Sequence, residues 1–317
     1  MRTGARVATL MLVLPLAVLG LGGTLQPAAQ DPATAKRPRV LILTGQNNHD
    51  WPRTSAMIRV ILEEPNLFEL ETWSAPGADT PTSQVHAPDF HDFAVVVWDY
   101  NPGGDYKWPE ALRAAWIEYI RGGGRAFLIH ASNNPFPGWT EFEEMVGLLW
   151  RGADAGEALE YDDEGEPVRT PAGEGSGAGH GRLHDFRIHH REPDHPVLAG
   201  LPETWLHASD ELYHWQRGPR PDTMEVLATA WDDPEYGGTG LSEPMLWQIP
   251  YGDGVVMTWL PGHLWRGQDD VSAYRCVGFR TIIQRAVEWL ATGSVTQSVP
   301  ENFPTADRVS LTARPMP

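Results

Sequence analysis

The sequence predicts an α/β fold: a three-layer sandwich with a mainly parallel central sheet, finished by a C-terminal β-hairpin. Three observations predict it. Short apolar runs alternate with segments of helical period over roughly the first half of the chain, as successive βα units do. Three strand-like runs, Val40 to Thr44, Arg125 to Ile129 and Val255 to Leu260, each hand over to a histidine (His49, His130, His263) within a few polar or glycine-containing residues. Parallel strands end on one shared edge, where open α/β sheets bind ligands. Finally, Tyr251-Gly-Asp-Gly254 separates two apolar runs, which marks a hairpin.

Taken in order, the first strand leads to Asp50, placed to cap a helix with Pro52 in its first turn and Met57, Val60 and Ile61 on its apolar stripe. Phe93 to Trp98 is a continuous apolar run suited to a strand covered on both faces. Trp108 to Arg121 follows with Leu112, Trp116, Tyr119 and Ile120 at helical spacing, and three glycines, Gly122 to Gly124, stop it. Arg125 to His130 then completes a βαβ unit, which requires a parallel pair and a right-handed crossover. Thr140 and Glu143 form a capping box for a helix carrying Phe142, Met145, Val146 and Leu149. Residues 153–179 break the rhythm: rich in Gly, Glu and Ala, they read as a long surface loop. His184 to Ile188 and Glu225 to Trp231 read as strands, Pro244 to Ile249 and Gly254 to Leu260 as the hairpin, and Phe279 to Thr292 as a closing helix stopped by Gly293. One domain over residues 36–304 results, with 305–317 as a surface tail.

Residues 1–35 have a leader's layout, with Arg2 and Arg6 ahead of an apolar run and no acid within it. Export to the periplasm or beyond the cell is expected, with membrane anchoring if the leader is retained, since roughly 18 apolar residues just span a bilayer. Loss of residues 1–30 removes two arginines and no acid, taking the formal charge from -18 to -20. So acidic a surface repels phosphate, which argues against nucleic acid and against membrane contact beyond the leader. The single cysteine, Cys276, excludes an internal disulfide and a thiolate cluster. Fourteen tryptophans serve core packing or, for some, a sugar cleft, because a flat amphipathic ring suits the apolar face of a pyranose.

A strand running into a sharp turn is how α/β enzymes project a nucleophile. Here the turn after Ile129 holds His130, Ala131 and Ser132; no Gly-x-Ser-x-Gly pattern surrounds the serine, and Cys276 is far away in sequence. Thiol chemistry at this elbow is therefore excluded. A single histidine is more often structural than a ligand, and His189, His190 and His195 are read that way. The strand-end position shifts that weighting for His49 and, more strongly, for His130 and His263. Asp210 and Glu211 precede Tyr213 after an aromatic stretch, and a carboxylate facing an imidazole either binds a divalent ion or shares acid–base work. The catalytic candidates are thus His130, His263, Asp210 and Glu211, with His130 and His263 also the candidate metal ligands. Gln46, Asn47, His49, Asp99, Asn133, Trp139, His180 and Tyr213 form the candidate substrate-binding set.

The stretches Val40 to Asp50, Gly122 to His130, Gly179 to Gly181, Asp210 to Tyr213, Gly237 to Gly240 with Glu243 and Pro244, and Tyr251 to Gly254 leading to His263 together resemble the ThuA-like (trehalose utilisation) family. The resemblance runs from residue 40 to about 304. It implies a class I glutamine amidotransferase-like (flavodoxin-like) fold, here without the thiol of the cysteine-dependent amidotransferases. It also implies carbohydrate catabolism beside enzymes that oxidise disaccharides or glycosides at the 3-position. A ketone at C3 acidifies the C2 hydrogen, so a base can remove that proton and expel the C1 group, with hydration completing net hydrolysis. The expected activity is acid–base or metal-assisted cleavage of a 3-keto sugar, a hydrolase- or lyase-type step on a small carbohydrate. A divalent ion, Zn or Mn, is the candidate cofactor; no nucleotide cofactor is expected. The competing readings are a non-catalytic sugar-binding protein and a metal-dependent hydrolase of another polar substrate. Two features depart from the family pattern: the length of 153–179 and the leader.

Overall fold

A computed structural model describes Met1, residues 36–219 and residues 223–317; the expected leader otherwise lies outside the described residues. The first half of the chain builds β1 (Arg39–Thr44), α1 (Trp51–Glu63), β2 (Glu69–Ser74), β3 (Val95–Trp98), α2 (Glu110–Arg121), β4 (Arg125–Ile129) and α3 (Thr140–Val146). β2, β1, β3 and β4 lie side by side in that order, all parallel. Alternating side chains leave a strand on opposite faces. Val40, Ile42, Val95, Val97 and Phe127 therefore pack beneath Met57, Ile58, Ile61 and Leu62 of α1. Leu41, Leu43, Val96, Trp98 and Leu128 point the other way, onto Leu112, Trp116 and Ile120 of α2 and Phe142, Met145 and Val146 of α3. Each such aliphatic side chain contributes about 1.5–3 kcal/mol on full burial, so the two-sided cover fixes strand register.

The second half contributes β5 (Glu157–Tyr161), β6 (Pro167–Thr170), β7 (Gly179–His180), β8 (His184–His190), β9 (Thr204–Asp210), β10 (Tyr213–His214), β11 (Arg217–Gly218), β12 (Glu225–Trp231), β13 (Ser242–Tyr251), β14 (Gly254–Trp259), α4 (Ser272–Arg275) and α5 (Val277–Thr292). β14 returns parallel to β4, with Trp259 opposite Ile129, and is also the second arm of the β13–β14 hairpin. From β14 the sheet continues antiparallel through β13, β12, β8 and β9. Phe279, Ile282, Ile283 and Ala286 of α5 join α1 on the first face, which gives the three layers. Among the described residues no helix is long and apolar enough to cross a membrane.

Five local readings are corrected. Residues 153–179 hold the β5–β6 hairpin instead of a loop; β5 pairs with β11 and touches β13, and Ala158, Leu159 and Tyr161 are buried. Small and acidic residues hid that strand's period. β2 carries no apolar pattern in the sequence because Glu69–Ser74 is polar, as a half-exposed edge strand is free to be. Asp50 occupies the N-cap position of α1, yet its side chain makes no capping bond and lies 3.7 Å from Arg53. Thr140 is the first residue of α3, not its cap; Glu143 instead accepts the Gly138 amide at 3.0 Å and pairs with Arg151 at 3.1 Å. Leu149 lies beyond that helix, bridged to Arg217.

Candidate active site

The parallel edge brings His49, His130 and His263 together. Ring centroids are 4.7 Å apart for His49 and His130, 5.1 Å for His49 and His263, and 5.7 Å for His130 and His263. β10 and the β9 terminus close the group from the antiparallel side, adding Glu211 and Tyr213, and β7 adds His180. All but His180 are buried; its side chain keeps 34% of its surface exposed, so it stands at the open side.

His130 directly follows β4 in the left-handed region (φ 50°), an uncommon conformation for a residue with a Cβ. Its Nδ1 donates to the Leu260 carbonyl at 2.7 Å, so in the neutral ring Nε2 is the acceptor, and the Tyr213 hydroxyl donates to it at 2.9 Å. Burial, then the neighbouring His49 and His263, hold this ring neutral, well below the ordinary imidazole range. Both nitrogens are committed. The expectation that His130 is a metal ligand is therefore replaced: among the described residues, the side chains whose donor atoms all lie within 4.8 Å of one another are His49, Glu211 and His263.

His49 is prepared for that role. The Asn47 side-chain oxygen accepts both the His49 amide (3.1 Å) and its Nδ1–H (3.0 Å), leaving Nε2 with the lone pair. Asn47 in turn donates toward Asp99 (3.5 Å), whose other oxygen accepts from Thr54 and Ser55 at 2.6 Å each. Carboxylate, amide and imidazole thus form an orienting relay of the kind that supports ligating histidines. Burial, with His263 and His180 adding to it, lowers His49 to about 3, and burial lowers His263 to about 4. His263 Nε2 is 3.2 Å from Glu211 Oε1, but neither of its buried ring nitrogens makes an aligned hydrogen bond. Glu211 also lies 3.4 Å from His180 Nε2, while His180 Nδ1 donates to the Gly181 carbonyl at 2.7 Å. Burial, then the adjacent Asp210, push Glu211 up to about 8. Neutral imidazoles and one carboxyl group with unspent donor capacity fit a divalent ion of the Zn or Mn type.

Asp210 belongs behind this site, not in it. Its oxygens accept from His207 Nε2 (2.8 Å) and from the backbone amides of Gly262 (2.7 Å), His263 (3.0 Å) and Glu211 (2.8 Å). It is a positioning residue. Gly262 (φ 129°) is required there, since a Cβ would come within 3.2 Å of Ile129 and 3.4 Å of the Tyr274 hydroxyl. Asn133 and Trp139 are likewise removed from the substrate surface: Asn133 is fully buried, donating to Leu148 and Gln216, and Trp139 stacks on Phe142 in the core. The Gln46 side chain lies over Gly77. Seven of the fourteen tryptophans are buried in the core, but the exposed Trp265 stacks on His49 (4.7 Å), and Trp150 lies 4.6 Å from Tyr213 and 5.9 Å from His180. The sequence singles out neither; only the position of Trp265, two residues beyond His263, hints at a role.

The ThuA family profile, described as trehalose utilisation, matches residues 39–290. The chain belongs to the ThuA family. A ThuA-like protein from Parabacteroides merdae is similar to it at 35% identity, covering 87% of this chain and 98% of its own, with a TM-score of 0.79. A second ThuA-like protein, from Bacteroides uniformis, shares the fold at 15% identity and a TM-score of 0.53, covering 82% of this chain and 96% of its own. No curated protein matches the chain. ThuA membership places the chain in carbohydrate metabolism related to trehalose utilisation.

Proposed function

We propose that this ThuA protein cleaves an oxidised (3-keto) disaccharide or glycoside by metal-assisted acid–base chemistry between His180 and the His49, Glu211, His263 group. The observation that carries the reading is the convergence of these four side chains at a buried strand edge, with His180 alone on the open side. Held by His49, Glu211 and His263, a divalent ion would supply a Lewis acid for the C3 oxygen. His180 supplies the base, because its Nδ1–H is anchored on the Gly181 carbonyl and Nε2 carries the lone pair. It takes the C2 proton; the C–H electron pair becomes the C1–C2 double bond as the C1–O bond breaks. The imidazolium then returns the proton to the departing oxygen. Addition of water across the resulting enone completes net hydrolysis. His130 holds the Tyr213 phenol in place, and burial pushes that phenol well above its usual range, so Tyr213 stays a donor throughout.

The test supplies a 3-keto disaccharide and its unoxidised parent to the purified full chain in deuterated buffer. Consumption of the oxidised sugar alone, with C2 exchange that disappears in His180→Gln, is the expected result. Turnover of the parent sugar, or cleavage with C2–H retained, overturns the reading, and saturable binding without turnover would favour the non-catalytic alternative.

A further inference from the structure

One indole touches every member of the candidate metal group. Trp265 stacks on the His49 ring at 4.7 Å and 28°, meets His263 edge-on at 5.0 Å and 75°, and donates its indole N–H to Glu211. His49, Glu211 and His263 are each at most 3% exposed, whereas Trp265 keeps 44% of its surface in solvent. The indole therefore stands between the group and water. It covers the face of His49, because the other two rings against that imidazole, His130 and His263, meet it edge to face at 66° and 87°.

The chain holds the indole in this place. After β14 the backbone brings His263 to the shared edge, and two residues later a tight turn closes from Trp265 to Gln268. The Gln268 amide donates to the Trp265 carbonyl at 3.1 Å, Gly267 takes the left-handed conformation (φ 80°), and the Gln268 side-chain oxygen accepts the Trp265 amide at 3.3 Å. Both ends of the turn are tied to the start of α1: the Asp50 amide donates to the Leu264 carbonyl at 2.9 Å, and the Arg53 guanidinium to the Gln268 carbonyl at 2.8 Å. Asp50 directly follows His49, so the indole and the imidazole beneath it share one anchor.

The remaining flanks of the group are filled by parts already placed. Asn47 and Asp99 stand behind His49, Asp210 binds the amides of His263 and Glu211, and His130 with Tyr213 packs beside them. Trp265 adds the outer cover, and His180 marks the side left open. A neighbour that orients a ligating side chain tunes how tightly an ion is held, and excluding water strengthens each charge interaction inside. We propose that Trp265 is a positioning residue of this site: its indole roofs the His49, Glu211, His263 group, fixing the His49 plane by stacking and the Glu211 carboxyl by its N–H, so that a divalent ion exchanges slowly and through the His180 side. This role presupposes that the group holds the ion; it adds which residue governs the ion's entry and loss.

The probe is Co²⁺, whose visible spectrum reports its coordination, bound to the purified full chain and withdrawn by a chelator. Trp265 can be replaced without opening the core, so urea midpoints of Trp265→Ala and Trp265→Phe should match the wild type. Trp265→Ala should bind Co²⁺ about tenfold more weakly, the low end of losing an outer partner, and release it about tenfold faster. Trp265→Phe keeps a ring over His49 but no N–H for Glu211: release should stay near the wild-type rate, while affinity falls severalfold and the Co²⁺ bands shift. Trp231→Ala, at an exposed tryptophan on β12, should match the wild type throughout. Wild-type affinity and release in Trp265→Ala overturn the proposal and leave the metal group standing. Release as fast in Trp265→Phe as in Trp265→Ala overturns the part given to the ring. A wild-type protein that binds no Co²⁺ rejects the metal group, and the roof with it.

Discussion

Replacing Asp210 with asparagine tests the claim that this residue positions the site. The wild-type carboxylate is fully buried and accepts from His207 and from three backbone amides, those of Gly262, His263 and Glu211. Asparagine keeps the shape but presents one oxygen and an NH₂ group to partners that are all donors. Two donors or more lose their acceptor, at about 1–3 kcal/mol each. A second route to the magnitude runs through His207. Burial opposes its charge, yet the Asp210 hydrogen bond, with Cys276 assisting, raises it from 6.5 to about 9. At 1.36 kcal/mol per unit that is about 3 kcal/mol of stability. The folded pKa lies above the unfolded one, so this contribution is complete below pH 6.5 and is lost as the pH rises through about 9. Urea unfolding of Asp210→Asn should therefore show a loss of about 3–5 kcal/mol at pH 6 that shrinks by pH 10. NMR should show His207 returning toward its ordinary value. A loss under about 1 kcal/mol, or a penalty constant from pH 6 to 10, would refute the reasoning.

Other predictions follow from single contacts. His49→Ala and His263→Ala should abolish bound divalent metal, measured by elemental analysis, whereas His130→Gln should retain it, because His130 spends both nitrogens elsewhere. Asp99→Asn should weaken metal affinity by about 10–100-fold through the Asn47 relay, the usual cost of losing an outer partner. Glu160 is buried with both oxygens unpartnered, and burial pushes it up to about 7. Its folded pKa exceeds the unfolded one, so its penalty grows from about pH 4.5 to 7 and then stays constant; Glu160→Gln should gain up to about 3 kcal/mol above pH 7 in urea unfolding, and little at pH 4. Gly218→Ala should cost more than about 3 kcal/mol, since its Cβ would fall 1.3 Å from the Gly147 carbonyl oxygen.

The parallel half of the sheet was legible because its strands are apolar on both faces and its helices carry a clean stripe. β3 and β4 are adjacent and parallel, as the βαβ reading required, and the histidines after β1, β4 and β14 do share an edge. What stayed hidden was the division of labour within that edge. Nothing in the sequence tells a histidine with two committed nitrogens, His130, from one with a free lone pair, His49; the partners are a carbonyl 130 residues away and a phenol 83 residues away. Asp210 and Glu211 are chain neighbours of like charge, yet one faces backbone amides and the other faces imidazoles. Trp139 and Trp150 are similarly alike in sequence; burial alone separates core from cleft.

The sheet also explains how distant strands meet. β9 is the last strand of the antiparallel run, with β13, β12 and β8 between it and β14, yet its terminal Asp210 bonds the Gly262 and His263 amides directly after β14. Irregular registers occur within β12–β13 and β8–β9, at Val226 to Thr229 and at His184 to Phe186. Bulges of this kind increase twist and bend a strand. They lie in the stretch of sheet that must curl for β9 to reach α4 and α5 and so return to the β14 end. The parallel edge supplies the imidazoles, and its acid Asp99 is engaged behind Asn47 by Thr54 and Ser55. The curl delivers Glu211 to His263 and His49 and Tyr213 to His130, and the Asp210 clamp holds the two ends together. Among the described residues, the proposed chemistry therefore belongs at this end of the sheet, where a parallel edge rich in histidine meets a returning antiparallel strand that brings acid.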